Sequence, residues 1–376
     1  MLVGDTNRKA ISLFSGAMGL DLGLEKAGID VVVGQDFDND CVRTIEANGR
    51  KAVGGSIQDL DAQAILDAAG MSPEEPFLVC AVPPCQPFST AGKRLGINDP
   101  RGSLFMDYVR MVDRIKPRFF IMENVKGLVS SKLDPSSKDS KKGSALQVVL
   151  SEFSNLGYRT IHGVVDAVNY GVPQFRERFI IIGSRDKEDV FIPMPTHFQL
   201  HQSKGHRWLV LRDAIGDLED APGPCDSFSP ERLKYLRAVP EGGNWRSLPD
   251  RVKPEAMGGA YLSGGGKVGF FRRLSYSQPS PTLVTSPVQK ASMLCHPTKD
   301  RPLSVSEYAR IQQFPDEWVF EGSTASQYRQ IGNAVPLGLG AALGSMLVSV
   351  AEKTANVETK RIRGTAVHRR IQRALA

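Results

Sequence analysis

The stretch Phe77-Leu-Val-Cys-Ala-Val-Pro-Pro-Cys-Gln-Pro-Phe-Ser-Thr-Ala-Gly-Lys93 changes character halfway along. Phe77 to Val82 is a short apolar run with the length and β-branching of a buried strand. Pro83-Pro84 cannot continue a sheet ladder, because proline lacks the N–H the ladder needs. Cys85 comes next, and Pro87 and Gly92 keep the following residues irregular. A stiff turn therefore holds a thiol at the carboxyl end of a strand, the edge where open α/β sheets bind ligands. An isolated cysteine is more often a small buried hydrophobe than a nucleophile. Cys85 lies outside any apolar period, so packing explains it poorly, whereas Cys80, inside the run, reads as structural.

Working outward, strands alternate with helical patterns. Lys9 to Phe14 reads as a first strand, Ser15 to Gly19 as a tight glycine turn, and Leu20 to Ala27 as an amphipathic helix. Such a turn either brings backbone close to a ligand or merely packs helix on strand. Val31 to Gln35 reads as a second strand, ending in Asp36-Phe37-Asp38. An acid about 20 residues past a glycine turn is placed for ribose hydroxyls; the alternative is a helix cap, which Asp38 or Asn39 would supply. Leu104 to Ile115 has helical spacing. Arg118 to Ile121 is another strand, and Glu123 follows it at the same sheet edge as Cys85. A carboxyl after Phe-Phe-Ile-Met is placed for desolvation, which raises its pKa. A further helix runs from Ala145 to Asn155, and strands from Tyr158 to Asp166 and Phe179 to Gly183. In Gln174-Phe-Arg-Glu-Arg178, alternate residues share a face, so Arg176 and Arg178 point together and Glu177 away.

Several of these segments resemble the C5-cytosine DNA methyltransferases: Pro83-Pro-Cys-Gln-Pro87, Glu123-Asn-Val125, Gln174-x-Arg-x-Arg178 and Gly332-Asn-Ala-Val-Pro336, in the family's order, over residues 9 to about 350. The resemblance implies a doubly wound, mostly parallel α/β sheet with a smaller, loop-rich β domain for target recognition. It implies S-adenosylmethionine as cofactor, held by Phe14, Ser15, Gly16, Gly19, Leu20, Asp36, Phe37, Ser56, Ile57, Pro84, Leu104 and Asn333. Ser56 stands where the family usually has an acid. It implies catalysis by Cys85, Glu123, Arg178 and, behind it, Arg176. DNA contacts fall on Gln86, Ser89, Lys93, Arg94 and Arg101. Cytosine C5 is too weak a nucleophile to take a methyl group unaided, and a thiolate added at C6 makes it one.

The totals agree with a soluble globular chain. Of 376 residues, 41% are hydrophobic and 23% charged, and no apolar run approaches the ~20 residues of a membrane span. Met1-Leu-Val-Gly-Asp5 has no signal-peptide pattern. Five scattered cysteines without Cys-x-x-Cys spacing suit a reducing compartment, and point to neither disulfides nor a metal site. The net charge is +6, but residues 351–376 carry seven Lys or Arg against two Glu, so the rest is nearly neutral. From Phe191 to Val288, Pro and Gly crowd in, and basic residues interleave with aromatics (Trp245-Arg246, Phe270-Phe-Arg-Arg273). This composition suits a DNA-reading surface or an irregular structural domain.

The expected organisation is a catalytic and cofactor domain over 1–189, a recognition domain and hinge over 190–327, a returning helix over 328–352 and a basic tail over 353–376. The tail is an accessory phosphate contact or a solvated end. The expected protein is a cytoplasmic, monomeric bacterial enzyme acting on double-stranded DNA, with no membrane or metal, alongside a separately encoded restriction endonuclease. An RNA cytosine methyltransferase and a DNA-binding module without catalysis are the alternatives. A cysteine hydrolase would need a histidine partner, and none of the six histidines lies in a motif that supplies one.

Overall fold

The computed structural model describes residues 8–84, 104–132, 141–199, 205–220, 223–263 and 268–354. The elements of the first half are β1 (Lys9–Leu13), α1 (Gly19–Lys26), β2 (Asp30–Asp36), α2 (Asn39–Ala47), β3 (Ala52–Gly54), α3 (Ala62–Ala69), β4 (Leu78–Ala81), α4 (Leu104–Ile115), β5 (Phe119–Val125), α5 (Ser144–Asn155), β6 (Arg159–Asp166) and β7 (Glu177–Ser184). They build one seven-stranded sheet in the order β3-β2-β1-β4-β5-β7-β6. The first five strands are parallel, and β7 runs antiparallel to both β5 and β6. The chain starts at the centre with β1, winds out to β3, then crosses back to β4. The sheet thus reverses its winding between β1 and β4, and the loops after these two strands open side by side.

The apolar patterns decide which residues do this. All of β4 is buried, as are the first six residues of β5, because helices cover both faces of the sheet. One face packs Ile11, Leu13, Val79 and Phe120 against Phe105 and Tyr108 of α4 and Phe153 of α5. The Tyr108 hydroxyl lies 3.0 Å from the carbonyl oxygens of both Val79 and Ile121, pinning α4 over the β4–β5 pair. The other face packs Leu78, Phe119 and Ile121 toward Leu24 of α1 and Leu343 and Leu347 of the last helix. Each fully buried aliphatic chain of this kind contributes about 1.5–3 kcal/mol.

Beyond β7 come β8 (His197–Phe198), β9 (His206–Arg207), α6 (Leu211–Ile215), α7 (Pro230–Leu236), α8 (Lys253–Met257), α9 (Val305–Ile311), α10 (Thr324–Asn333) and α11 (337–354). In the expected loop-rich β region of 191–288, strand pairing among the described residues is confined to the two-residue pair β8–β9 and isolated bridges. The rest of its described residues form short helices and turns. Gly223, Gly242 and Gly258 take positive φ, and prolines remove donors, so no long ladder can propagate. Phe271 and Tyr276 are buried rather than displayed. Arg273 is 5% exposed, and its guanidinium collects the carbonyls of Leu236, Val239, His296 and Lys299. The run expected as a basic surface is therefore partly core.

The chain returns through α10 and α11. Together Thr324–Thr354 are long and apolar enough to cross a membrane, yet the window that qualifies is 67% buried within the protein. Helices α1 and α11 meet backbone to backbone. A Cβ on Gly23 would stand 2.3 Å from the Leu337 carbonyl, and one on Gly340 would stand 2.6 Å from that of Leu20.

Candidate functional site

Two strand ends meet at the winding reversal, and both turns line one cavity of about 300 Å³. The turn after β1 takes left-handed backbone at Phe14 (φ 53°), Gly16 (φ 54°) and Met18 (φ 63°). Left-handed backbone costs a non-glycine residue about 1–2 kcal/mol, so hydrogen bonds must hold it. Ser15 N–H donates to the Gln35 carbonyl (2.9 Å), Phe14 N–H to Gln35 Oε1 (3.3 Å) and Gly16 N–H to Asp36 Oδ2 (2.8 Å). A Cβ on Gly16 would meet nothing within 4 Å, so this backbone faces open space.

Asp36 ends β2 and is 7% exposed. Its second oxygen, Oδ1, accepts Asp38 N–H at 2.9 Å. Burial raises its pKa, and the N–H donors of Asp38 and Gly16 oppose the rise. Asp36 thus braces both turns, with oxygen lone pairs to spare. Asp38 caps α2 by accepting Asp40 N–H, as expected of one of the two candidates. Phe37 presents its ring at the rim, 66% exposed. The opposite wall is the break between α10 and α11, where Gly332, Asn333, Ala334 and Val335 line the cavity. Gly19 lets this wall approach, since a Cβ there would lie 2.4 Å from the Val335 carbonyl.

At the second strand end, Val82, Pro83 and Pro84 form the floor beside Glu123 and Asn124 of β5 and Arg178 of β7. Glu123 is 3% exposed, and its Oε1 lies 2.6 Å from Arg178 Nε. Burial raises the Glu123 pKa, while the charges of Arg178 and Arg176 pull it back. Asn124 donates from Nδ2 to the Pro83 carbonyl (2.9 Å), fixing the Pro-Pro turn. Its Oδ1 is buried without a hydrogen-bond partner among the described residues. Cys85 itself, with Gln86, Ser89, Lys93, Arg94 and Arg101, lies outside the described residues. Cys80, four residues from the end of the described strand-and-turn, is fully buried; its thiol donates to Asp21 Oδ1 (3.4 Å), and burial keeps it protonated.

The expected residues therefore divide. Phe14, Ser15, Gly16, Gly19, Leu20, Asp36, Phe37, Pro84, Glu123, Arg176, Arg178 and Asn333 all line the one cavity. Ser56, Ile57 and Leu104 do not. Ile57 is core, Leu104 packs against the same core, and Ser56 Oγ accepts Gln58 N–H. Arg176 shares the face of Arg178, but its Nη groups go to the carbonyls of Leu283 (3.1 Å) and Gly332 (2.8 Å). Glu177 turns away to Lys126, as alternation requires. Sequence reasoning missed Gln35 and Asn124, whose signal was a polar side chain closing an apolar strand. It also missed Arg329, which bridges the rim to Asp38 at 2.9 Å and has no local signal at all.

The lining suits S-adenosylmethionine. Phe37 offers an aromatic face, Asp36 a carboxylate, Gly16 unobstructed backbone and Asn124 a buried oxygen that is unpaired among the described residues. Among the described residues, no cluster of three His, Cys, Asp or Glu could hold a metal ion.

Comparison with known proteins identifies the family. The family model described as C-5 cytosine-specific DNA methylase matches residues 8–349. The type II methyltransferase M.Eco47II of Escherichia coli is 37% identical over 353 residues, 91% of this chain and 79% of that protein. M.Sau96I of Staphylococcus aureus is 40% identical over 339 residues, 89% and 74% respectively. Among solved structures, a prophage-encoded DNA modification methyltransferase from E. coli is similar at TM-score 0.64 and 24% identity, covering 92% of this chain and 99% of that one. The Dnmt2 methyltransferase of S. pombe is similar at TM-score 0.55 and 20% identity, covering 91% and 98%. These two structures share the fold.

Proposed function

Because this chain belongs to the C-5 cytosine-specific DNA methylases, we propose that it methylates one cytosine of a short duplex DNA sequence, through a Cys85 adduct on a base turned out of the helix. Methyl transfer to DNA cytosine C5 is the activity the family establishes, and S-adenosylmethionine supplies an electrophilic sulfonium methyl group when bound. The observation that carries the finer reading is the buried Glu123–Arg178 pair, set one strand from the Pro83-Pro84 turn that leads into Cys85.

The Cys85 thiolate adds to C6 of the base, and the displaced electron pair makes C5 nucleophilic. Glu123 faces N3 and gives or shares its proton there, lowering the cost of addition. Arg178 steadies the base carbonyl and the charge of Glu123. C5 then takes up the methyl group, the methyl–sulfur pair staying on the cofactor; a solvent base removes the C5 proton, the C–H pair re-forms the C5–C6 double bond, and the C6–S bond breaks to return the Cys85 thiolate. Phe14, Gly16, Asp36, Phe37 and Asn333 hold the cofactor against this edge, with Pro84 beneath. The segment 86–103 and the region 190–327 hold DNA around the extruded nucleotide, and 328–352 closes the cofactor wall. By likeness to the type II methyltransferases, the chain acts in the bacterial cytoplasm as the modification partner of a restriction endonuclease.

Cys85→Ser tests this. It should abolish methyl transfer and leave binding of S-adenosylhomocysteine unchanged; normal turnover by that variant would refute the adduct.

A further inference from the structure

Gln312 follows α9 and is fully buried, and it lies behind the cavity rather than in its lining. Its Nε2 donates to the carbonyls of Ile331 (2.7 Å) and Ala334 (3.0 Å), which bracket Asn333. A primary amide has two N–H groups, and here both go to this one turn. Its Oε1 accepts Nε2 of Gln174 (3.0 Å), itself fully buried. Gln174 Oε1 in turn accepts Leu283 N–H (2.9 Å) and Arg176 Nη1 (3.4 Å), while Arg176 Nη2 holds the carbonyl of Gly332. The carbonyls of Ile331, Gly332 and Ala334 are thus all held by side chains. The Ile331 carbonyl also accepts the Ala334 N–H (3.2 Å), but carbonyls at a helix end run short of helical donors, and burying them unpaired is costly. The same network runs into the strand that carries Arg178.

We propose that Gln312 is a positioning residue: it sets the Asn333 turn, and through it the affinity for S-adenosylmethionine, without touching the cofactor. The proposal rests on the reading that Asn333 forms the cofactor wall. Removing both donors frees the turn to move, so binding weakens while the chemistry of the bound complex changes little.

The test is S-adenosylhomocysteine binding by calorimetry, with steady-state KM and kcat, on Gln312→Leu, Asn333→Ala and the double variant. Gln312→Leu should weaken binding about tenfold, the effect of roughly one net buried hydrogen bond, and should raise KM for the cofactor more than it lowers kcat. The two substitutions should not add, because one acts through the other. Leu236→Ala, in a separate core cluster, is the control for lost stability; it should lower Tm and leave binding alone. If Gln312→Leu does not fold, Gln174→Met, which removes the partner of Gln312 Oε1, carries the same expectation at smaller size. Unchanged binding in a folded Gln312 or Gln174 variant, or full additivity, overturns the proposal. An Asn333→Ala variant that binds normally instead overturns the cofactor-wall reading beneath it.

Discussion

Replacing Glu123 by Gln changes one charge at the centre of the site and almost no volume. Glu123 and Arg178 are a buried pair, with side chains 5% and 11% exposed and 2.6 Å between Nε and Oε1. Removing one member of such a pair outright costs about 3–5 kcal/mol, because the remaining charge is stranded. Glutamine still accepts from Arg178, so the loss of stability should be smaller, about 2 kcal/mol. The effect on rate should be larger: a lost general acid typically costs about 10²–10⁴-fold. The sign of the pH dependence follows from the environment. Burial holds the Glu123 carboxyl above its ordinary range, against the pull of Arg178 and Arg176. The protonated acid is the active form in the proposed mechanism, so wild-type kcat/KM should fall as pH rises through the raised value. The amide of the Glu123→Gln variant cannot titrate. Methyl transfer from labelled cofactor to DNA, measured from acid to alkaline pH, should therefore lose in that variant the fall that Glu123 imposes. A variant with wild-type rate, or with that fall intact, would refute the assignment.

Three further outcomes follow from the packing. Asp21 is fully buried, its carboxyl raised from 3.8 to about 7 chiefly by desolvation. Its stabilising contribution is complete below the unfolded value and lost as pH rises through about 7, a swing of about 4 kcal/mol, so Asp21→Asn should flatten the fall in stability between pH 4 and 8 in denaturant titrations. Gly23→Ala gains about 1 kcal/mol of helix propensity, yet its Cβ would sit 2.3 Å from the Leu337 carbonyl; the net should be about 2 kcal/mol lost, seen as a lower Tm. Phe37→Ala removes an exposed ring, so it should leave Tm unchanged and weaken S-adenosylhomocysteine binding about tenfold, read by calorimetry.

What could be read from the sequence was what local chemistry determines. The helix expected over Leu104 to Ile115 has those limits, and the Asp38 cap forms because a short acceptor precedes α2. The positions of Asp36, Pro84 and Glu123 were legible because a buried apolar run gives way there to a polar or imino residue, and parallel strands bring such positions to one edge; yet β4 already ends at Ala81, and Glu123, expected just past a strand, lies inside β5, which runs on to Val125. Contacts between distant segments left no trace: Arg329 meets Asp38 across 291 positions, and Gln312 reaches Gln174 across 138. Composition misled where it could not separate surface from core. Arg273 belongs to a basic and aromatic run that suits a DNA-reading surface or a structural domain, and it collects buried carbonyls, a role a guanidinium fills well. Ser56 and Ile57 were expected in the cavity from the resemblance, and the loop that carries them turns Ile57 into the core.

Transfer of a methyl group to C5 of cytosine in DNA can be measured directly. The direct measurement is incubation with labelled S-adenosylmethionine and either duplex DNA or RNA, followed by base-resolution mapping of 5-methylcytosine. Label confined to duplex DNA, at one cytosine of one short recurring sequence, is the predicted result. Label in RNA alone, or none in either while the cofactor is bound, would contradict it.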